Sequence, residues 1–405
     1  MPKQERKIPK GWKETTLGAV AEVQTGPFGS QLHNEDYVSD GIPIITVENL
    51  INNSITHTAD TPMVSVDDNA RLKKYSLKKG DLVFSRVGSV DRCGYVSAKE
   101  DGWMFSGRLL RVRSSASLHD RYTFYWMTQE AIKEFVRKVA VGATMPSINT
   151  ELLSRVPIVV PPLPEQRAIA GVLSSLDDKI ELLRDQNKTL EAMVATIWQK
   201  MFVGDVNPKW KEGSLLDLIV LTGGGTPKTD VLEYWNGSVP WLSAKDITAN
   251  HKNFIFHTEK TISDLGLANC SAKLLPKYST VISARGTVGN YCILSSPMAS
   301  SQSNYGILPL SSNCYFFTYF LIAFVVAELK SAAYGSIFDT ITTETFHAHK
   351  VRIPTKDQII YFEKIATPFL ESMHNNTAQI QTLSTLRDTL LPKLMKGELR
   401  VSNAK

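Results

Sequence analysis

The sequence predicts an α+β chain: two homologous α+β domains separated by an antiparallel coiled coil of two long helices, pseudo-twofold symmetric. Three observations carry that expectation. The text of one half returns, in order, in the other; a proline-led tail with an acid–glutamine pair follows each half; and each tail spaces its apolar residues alternately by four and three. The chain accordingly divides into a first domain at 1–160, a first helical spacer at 161–204, a second domain at 205–354 and a second helical spacer at 355–405.

A chain of 405 residues exceeds what one small core can organise. With 43 % hydrophobic and 21 % charged residues it reads as globular. The longest apolar run, "YFFTYFLIAFVVAEL" (315–329), is too short to cross a bilayer and is expected to be a buried helix, with no membrane as partner. The basic start "MPKQERKIPKGW" lacks the apolar core of a secretory signal. Cys93, Cys270, Cys292 and Cys314 form no C-x-x-C pair, which argues against a disulfide framework or structural zinc and for a reduced, cytoplasmic protein. The net charge of +5 sits in the two long segments and permits an acidic partner.

The duplication is read stretch by stretch. "GWKETTLGAVAEVQTGPFGSQL" (11–32) faces "KWKEGSLLDLIVLTGGGTPKT" (209–229), and "GIPIITVENL" (41–50) faces "SVPWLSAKDI" (238–247). "GDLVFSRVGSVDRCGYVS" (80–97) faces "STVISARGTVGNYCILS" (279–295), aligning Arg86 with Arg285. "GATMPSINTELLSRVPIVVP" (142–161) faces "GSIFDTITTETFHAHKVRIP" (335–354). Within each copy, short β-branched runs (Ile42–Val47, Leu82–Val87, Val156–Val160) alternate with turns and a helical stretch (Tyr122–Ala140, Phe316–Ala332). Segments 49–79 and 246–278 differ most, and specificity of any kind would lie there.

In the tails, "VPPLPEQRAIAGVLSSLDDKI" (160–180) opens a seam of Ile169, Leu173, Leu176, Ile180, Leu183, Asn187, Leu190, Val194, Ile197 and Met201. "IPTKDQIIYFEKIATPFLESM" (353–373) leads to Phe369, Met373, Asn376, Ile380, Leu383, Arg387, Leu390 and Leu394, with Pro368 expected to start or kink the second helix. In an antiparallel register Leu183 meets Ile380, Leu190 meets Met373, and Asn187 meets Asn376, so that one amide satisfies the other and fixes the pairing. Arg387 falls opposite Leu176, its head reaching for solvent. Such a pair would run roughly 40–50 Å at 1.5 Å per residue.

No active site emerges. "TGGGTPKT" (222–229) lacks the spacing of a phosphate-binding loop, and its counterpart "TGPFGSQ" (25–31) marks it as a tight turn. His347 and His349, two apart, are expected on opposite faces of a strand, and no metal site is expected. Nucleic-acid signals are present. "RLKKYSLKK" (71–79) supplies Lys73, Lys74, Lys78 and Lys79, followed by Arg86, Ser89 and Arg92 around a glycine turn. The second copy offers Lys245, Lys273, Lys277, Arg285, Thr287, Gln302 and Asn304. Cations neutralise phosphates, and arginine or amide side chains pair with base edges. The competing reading is a protein-interaction scaffold with two homologous binding domains.

Taken together, the "EQRAIAGVLSSLDDKIELL" tail, its copy "DQIIYFEKI", the opening "GGGTPKT…YWNGSVPWLSAKDI" and the G-x-x-x-x-x-I element before each tail (Gly142…Ile148, Gly335…Ile341) resemble the specificity subunit of type I restriction–modification systems over essentially the whole chain. The resemblance implies two target-recognition domains, each reading half of an interrupted DNA target, with the helices setting the gap. It further implies double-stranded DNA, two methyltransferase subunits and restriction subunits as partners, no catalytic residue on this chain, and no cofactor of its own, since S-adenosylmethionine, ATP and Mg belong to the partners. Asp357, standing where the family has glutamate, is a departure.

Overall fold

A computed structural model describes residues 8–29, 31–204, 207–310, 313–334 and 340–401. The chain forms two compact units, Met1–Lys179 with Leu383–Lys405, and Ile180–Thr382. Each unit takes in part of both tails.

The first unit is built on a four-stranded antiparallel sheet, in the order Ala21–Thr25, Leu109–Ser114, Leu82–Ser85, Cys93–Tyr95. Every residue of Leu82–Ser85 is buried, as expected for an inner strand covered on both faces. One face carries the helices Asp120–Thr128 and Glu130–Val139, whose Tyr122, Tyr125 and Val136 pack on Phe84 and Leu110. The expected single helix over 122–140 breaks at Gln129, which is extended. A second sheet places Met104–Phe105 parallel to Ile42–Ile45, which pairs antiparallel with Met63–Val64. Lys13–Thr16 pairs antiparallel with Pro157–Val160 just before the first long helix, Leu163–Gln199.

The second unit repeats this plan. Ile219–Gly223, Asn304–Pro309, Thr280–Ser283 and Tyr291–Leu294 form the main sheet, extended by Phe254–Ile255. Ala299–Ser300 runs parallel to Trp235–Leu242, which pairs antiparallel with Lys260–Ile262. Glu212–Ser214 pairs with Lys350–Arg352 before the second long helix, Lys356–Met395. The apolar run reads on as one helix, Tyr315–Tyr334, and residues Tyr315–Ala332 are long and apolar enough by composition to cross a membrane. Here Phe317, Tyr319, Ile322 and Leu329 are buried in the core of the second unit, against Phe362 and Trp198. His347 lies in a short helix, Thr343–Ala348, and His349 caps its end, which corrects the expected strand.

Equivalent hydrogen bonds refine the internal alignment. Ser85 N–H donates to Arg92 O (2.9 Å) as Ser283 N–H does to Asn290 O (2.8 Å), and Ile148 N–H donates to Arg86 O (2.9 Å) as Ile341 N–H does to Ala284 O (3.1 Å). Gly88 and Gly286 share a left-handed backbone, φ 77° and 76°. Arg86 thus answers Ala284, and Arg285 answers Val87: the two arginines sit one position apart, on opposite sides of the strand end. Of the G-x-x-x-x-x-I elements, Ile148 and Ile341 are buried and equivalent, whereas Gly335 lies outside the described residues. Cys93 and Cys292 are buried core thiols, and burial pushes the Cys93 thiol up to about 12.

The acid–glutamine text has a structural purpose. Trp12 Nε1 donates to Glu165 (3.0 Å), and Arg400 pairs with the same carboxylate (2.6 Å). Gln166, fully buried, accepts from His119 N–H at the start of a helix (2.8 Å) and donates to Ser117 O and Pro161 O. In the second copy Trp210 Nε1 donates instead to Gln358 (3.0 Å). The helix start is capped by Glu363, which accepts from Phe316 N–H (3.0 Å) and Phe317 N–H (2.8 Å). The departure at Asp357 is therefore made good by residues one and six positions further on.

Burial pushes the Glu363 carboxyl up to about 7, against the pull of the backbone N–H groups that favour its anion. A carboxyl raised above its unfolded value of 4.5 contributes stability that is full below about pH 4.5 and lost as pH rises through about 7. Comparing urea midpoints of the parent and Glu363→Gln across pH 4.5–7.5, the parent should lose stability relative to the variant as pH rises. Parallel curves would contradict this.

In the first unit, Ile169, Ala170 and Leu173 at the start of the first long helix pack with Leu390, Leu394 and Met395 at the end of the second. In the second unit, Leu190 and Val194 near the end of the first helix pack with Phe369, Leu370 and Met373 near the start of the second. Both contacts require the helices to run antiparallel. Asn376 Nδ2 donates to Asn187 Oδ1 (2.9 Å), as the register demanded, and Asn187 Nδ2 donates to Thr377 Oγ1 (3.2 Å). Arg387 does not turn to solvent but binds Asp177 (2.7 Å). The second helix starts at Lys356 and runs through Pro368. An interior proline costs about 3 kcal/mol, less than the burial of Ile359, Phe362 and Ala366 on the preceding turns returns at about 1.5–3 kcal/mol for each large side chain. Asn187→Leu should cost about 1–3 kcal/mol by stranding the Asn376 amide. Adding Asn376→Leu should restore much of it, a coupling that a double-mutant cycle in urea would measure; additive effects would refute the pairing.

Candidate nucleic-acid interface

Four loops meet at one end of the first unit's main sheet. Gly26 is pressed so closely on Ser106 that a Cβ would lie 2.2 Å from its carbonyl oxygen, and Gly107 is pressed likewise on Pro27 O (2.5 Å). These contacts fix the "TGPFG" turn to the Ser106–Arg108 turn. Arg86 joins them: its N–H donates to Arg108 O (2.8 Å), its Nη1 to Gly107 O (3.2 Å), and its guanidinium lies 5.4 Å from the Phe28 ring centre. Gly88 N–H donates to Pro146 O (2.8 Å), bringing in the loop that bears Met145. Phe28, Val141 and Met145 are 50 %, 64 % and 65 % exposed.

Beside this group a hairpin turns at Asn52 and Asn53, both left-handed (φ 51° and 62°), as a two-residue turn requires. With Arg92, Asp91 and Lys133 they line an open cleft of about 380 Å³, and Lys133 Nζ donates to Asn53 Oδ1 (3.0 Å). A backbone N–H and Thr46, and more weakly Arg108 and Arg92, hold the Glu48 carboxyl below its usual range. Ser89 and Arg92 are exposed.

Lys73, Lys74, Lys78 and Lys79 are all exposed and form no ion pair among the described residues. Between them Leu72, Tyr75 and Leu77 are buried, so the backbone is anchored while the cations point outward. Lys74 Nζ lies 4.8 Å from the Tyr75 ring centre.

The second unit sorts its candidates differently. Arg285 and Thr287 are exposed on the loop after Thr280–Ser283, and Thr287 Oγ1 lies 2.6 Å from Thr248 Oγ1. Lys273 and Gln302 are exposed, and Lys277 lies over the Tyr278 ring at 4.5 Å. Lys245 is exposed and paired with Glu259 (2.6 Å), whose hydrogen bond and charge raise its pKa. Asn304 is buried, its amide donating to Leu242 O (3.1 Å) and Ser301 Oγ (3.1 Å), so it holds the fold and is out of reach of a base. In "TGGGTPKT" Gly224 and Gly225 are packed against Ser301 O and Ala272 N, where a Cβ would fall at 2.0 and 2.3 Å, in keeping with the turn expected there.

Sequence reasoning passed over Phe28, Met145, Arg108 and Lys133. The available signal was a large apolar residue inside a glycine–proline turn, where burial is rare and exposure is a choice.

The sequence profile of the family described as "Type I restriction modification DNA specificity domain" matches residues 9–192 and again 207–384. The chain is 24 % identical to the type I restriction enzyme MjaIX specificity subunit of Methanocaldococcus jannaschii, over 98 % of this chain and 95 % of that one. It is 22 % identical to the HindI specificity subunit of Haemophilus influenzae, over 96 % and 99 %. In fold it is similar to the crystal structure of the type I restriction–modification S subunit from M. genitalium, with a TM-score of 0.65 at 16 % identity, covering 97 % of this chain and 98 % of that one.

Proposed function

This chain belongs to the type I restriction-modification DNA specificity family, with one copy of the family's domain in each half, and from that premise we propose how its two halves divide the work. It is the specificity subunit of such a system, and it carries two target recognition domains. Each domain reads one half of an interrupted double-stranded DNA target. The helical stretches set the gap between the halves and dock two methyltransferase subunits, to which restriction subunits add. Methylation and cleavage belong to those partners, which bring S-adenosylmethionine, ATP and Mg; this chain supplies recognition, in the cytoplasm where its DNA is found.

The observation that supports this division is the repeat itself. One chain presents the same strand framework twice, each time with different loops at the sheet end. Arg86 with Phe28 stands in one copy where Ala284 and a triple-glycine turn stand in the other. Shared scaffolds with unlike loops suit two unlike half-sites, since bases are read by the side chains that reach them.

Methylome sequencing of cells with and without this chain tests the reading directly. A single bipartite motif should vanish on deletion, and inserting a heptad into both long helices should lengthen its gap. Loss of no motif would refute the proposal, and an unchanged gap would refute the spacing role.

A further inference from the structure

Phe28 is half exposed on a turn whose backbone is hydrogen-bonded and packed against its neighbour. Its carbonyl accepts from Gln31 N–H (2.8 Å) and Leu32 N–H (3.2 Å), and the buried Leu32 anchors that turn among Ile44, Ile45 and Phe105 of the first unit's second sheet. Gly26, two residues before it, is pressed against Ser106, Gly107 is pressed against Pro27, and Arg86, itself held by Gly107 O, lies over the ring. A half-exposed phenylalanine held this way gives up apolar burial at no gain to the fold. The rim is cationic, with Arg86 and the exposed Arg108 adjacent through a backbone bond. The matching turn of the second unit, Gly223–Pro227, has no aromatic residue, so this feature belongs to one recognition domain alone.

We propose that Phe28 is a specificity-determining contact of the first unit, its ring resting against the C5-methyl of a thymine in the major groove while Arg86 fixes the ring. This rests on the DNA-reading function above and names a base for it. Apolar side chains distinguish thymine by its methyl group, the one apolar feature of the major-groove edge. An aromatic ring fixed in advance spends little rotamer entropy in making that contact.

The test uses the full chain assembled with its modification subunits, and duplexes in which each thymine of the motif is replaced in turn by deoxyuridine, removing only the methyl. At one position in the half-site read by the first unit, the parent should lose about fourfold in affinity, as expected for one buried methyl-sized group. Phe28→Ala should lose at least as much on the thymine duplex and be indifferent to deoxyuridine there, while still discriminating the other half-site. Phe28→Leu, which keeps apolar bulk, should retain part of the sensitivity. Retained deoxyuridine sensitivity at every position in Phe28→Ala, or a parent indifferent to all these replacements, would overturn the inference. A parent that does not prefer its motif to a scrambled duplex would instead overturn the DNA-reading function beneath it.

Discussion

Replacing Asp81 with alanine should destabilise the first unit by about 3 kcal/mol, toward the low end of what breaking a buried ion pair costs. Asp81 is 2 % exposed and accepts two bonds from Arg113, at Nε (2.7 Å) and Nη2 (2.6 Å), as well as one from Lys78 N–H (2.8 Å). That bidentate contact raises the Arg113 pKa. Next to it on the same strand, Arg111 is buried and tied to Glu22 (2.9 Å), and burial first, then the Arg113 charge, lowers its pKa. Without Asp81 two guanidinium groups would lie side by side on one face of the strand Leu109–Ser114, with Glu22 the carboxylate left beside them. Arg113 retains some access to water, with 29 % of its side chain exposed, which is why the lower end of the range applies. Urea unfolding would measure the change, and Asp81→Ala with Arg113→Met should recover most of it. A single-variant cost under about 1 kcal/mol would show that the pair adds little beyond a surface contact.

The sequence disclosed the duplication, the antiparallel seam and the asparagine pair because each is periodic or local: spacing alone carries them. What it hid depends on contacts distant along the chain. Arg86 and Arg285 align in the text, yet Ile148 and Ile341 bond Arg86 O and Ala284 O, and only the strand pairing reveals the offset. Asn304 was legible as a polar residue in a polar run, but strand register turns it inward. Lys245 is paired with Glu259, fourteen positions on and across a turn, a partner that spacing alone does not reveal. Glu363 caps a helix start 47 residues earlier, so no window of sequence would contain both ends of the bond. Pro368 misled for a different reason: a local penalty was outweighed by apolar contacts formed elsewhere in the fold.

Reversing Lys73, Lys74, Lys78 and Lys79 to glutamate should weaken DNA binding by at least about a hundredfold near physiological salt, with the same loss on target and non-target duplexes. Each phosphate contact releases counterions worth about 0.9 in the slope of log affinity against log salt, so four contacts would lower that slope by about 3.6. The loss should be uniform because phosphates carry no sequence. The fold should tolerate the change, since Leu72, Tyr75 and Leu77 are the buried anchors and the lysine side chains take part in no ion pair among the described residues. Lys74 alone also surrenders its contact with the Tyr75 ring, so Lys74→Gln separates that loss from the charge. Filter binding at several salt concentrations, with the modification subunits present, gives both affinity and slope. An unchanged slope would take the lysine segment off the DNA path. A loss confined to the target sequence would instead place these side chains at base edges, and the division between cationic anchoring here and apolar reading at Phe28 would have to be drawn the other way.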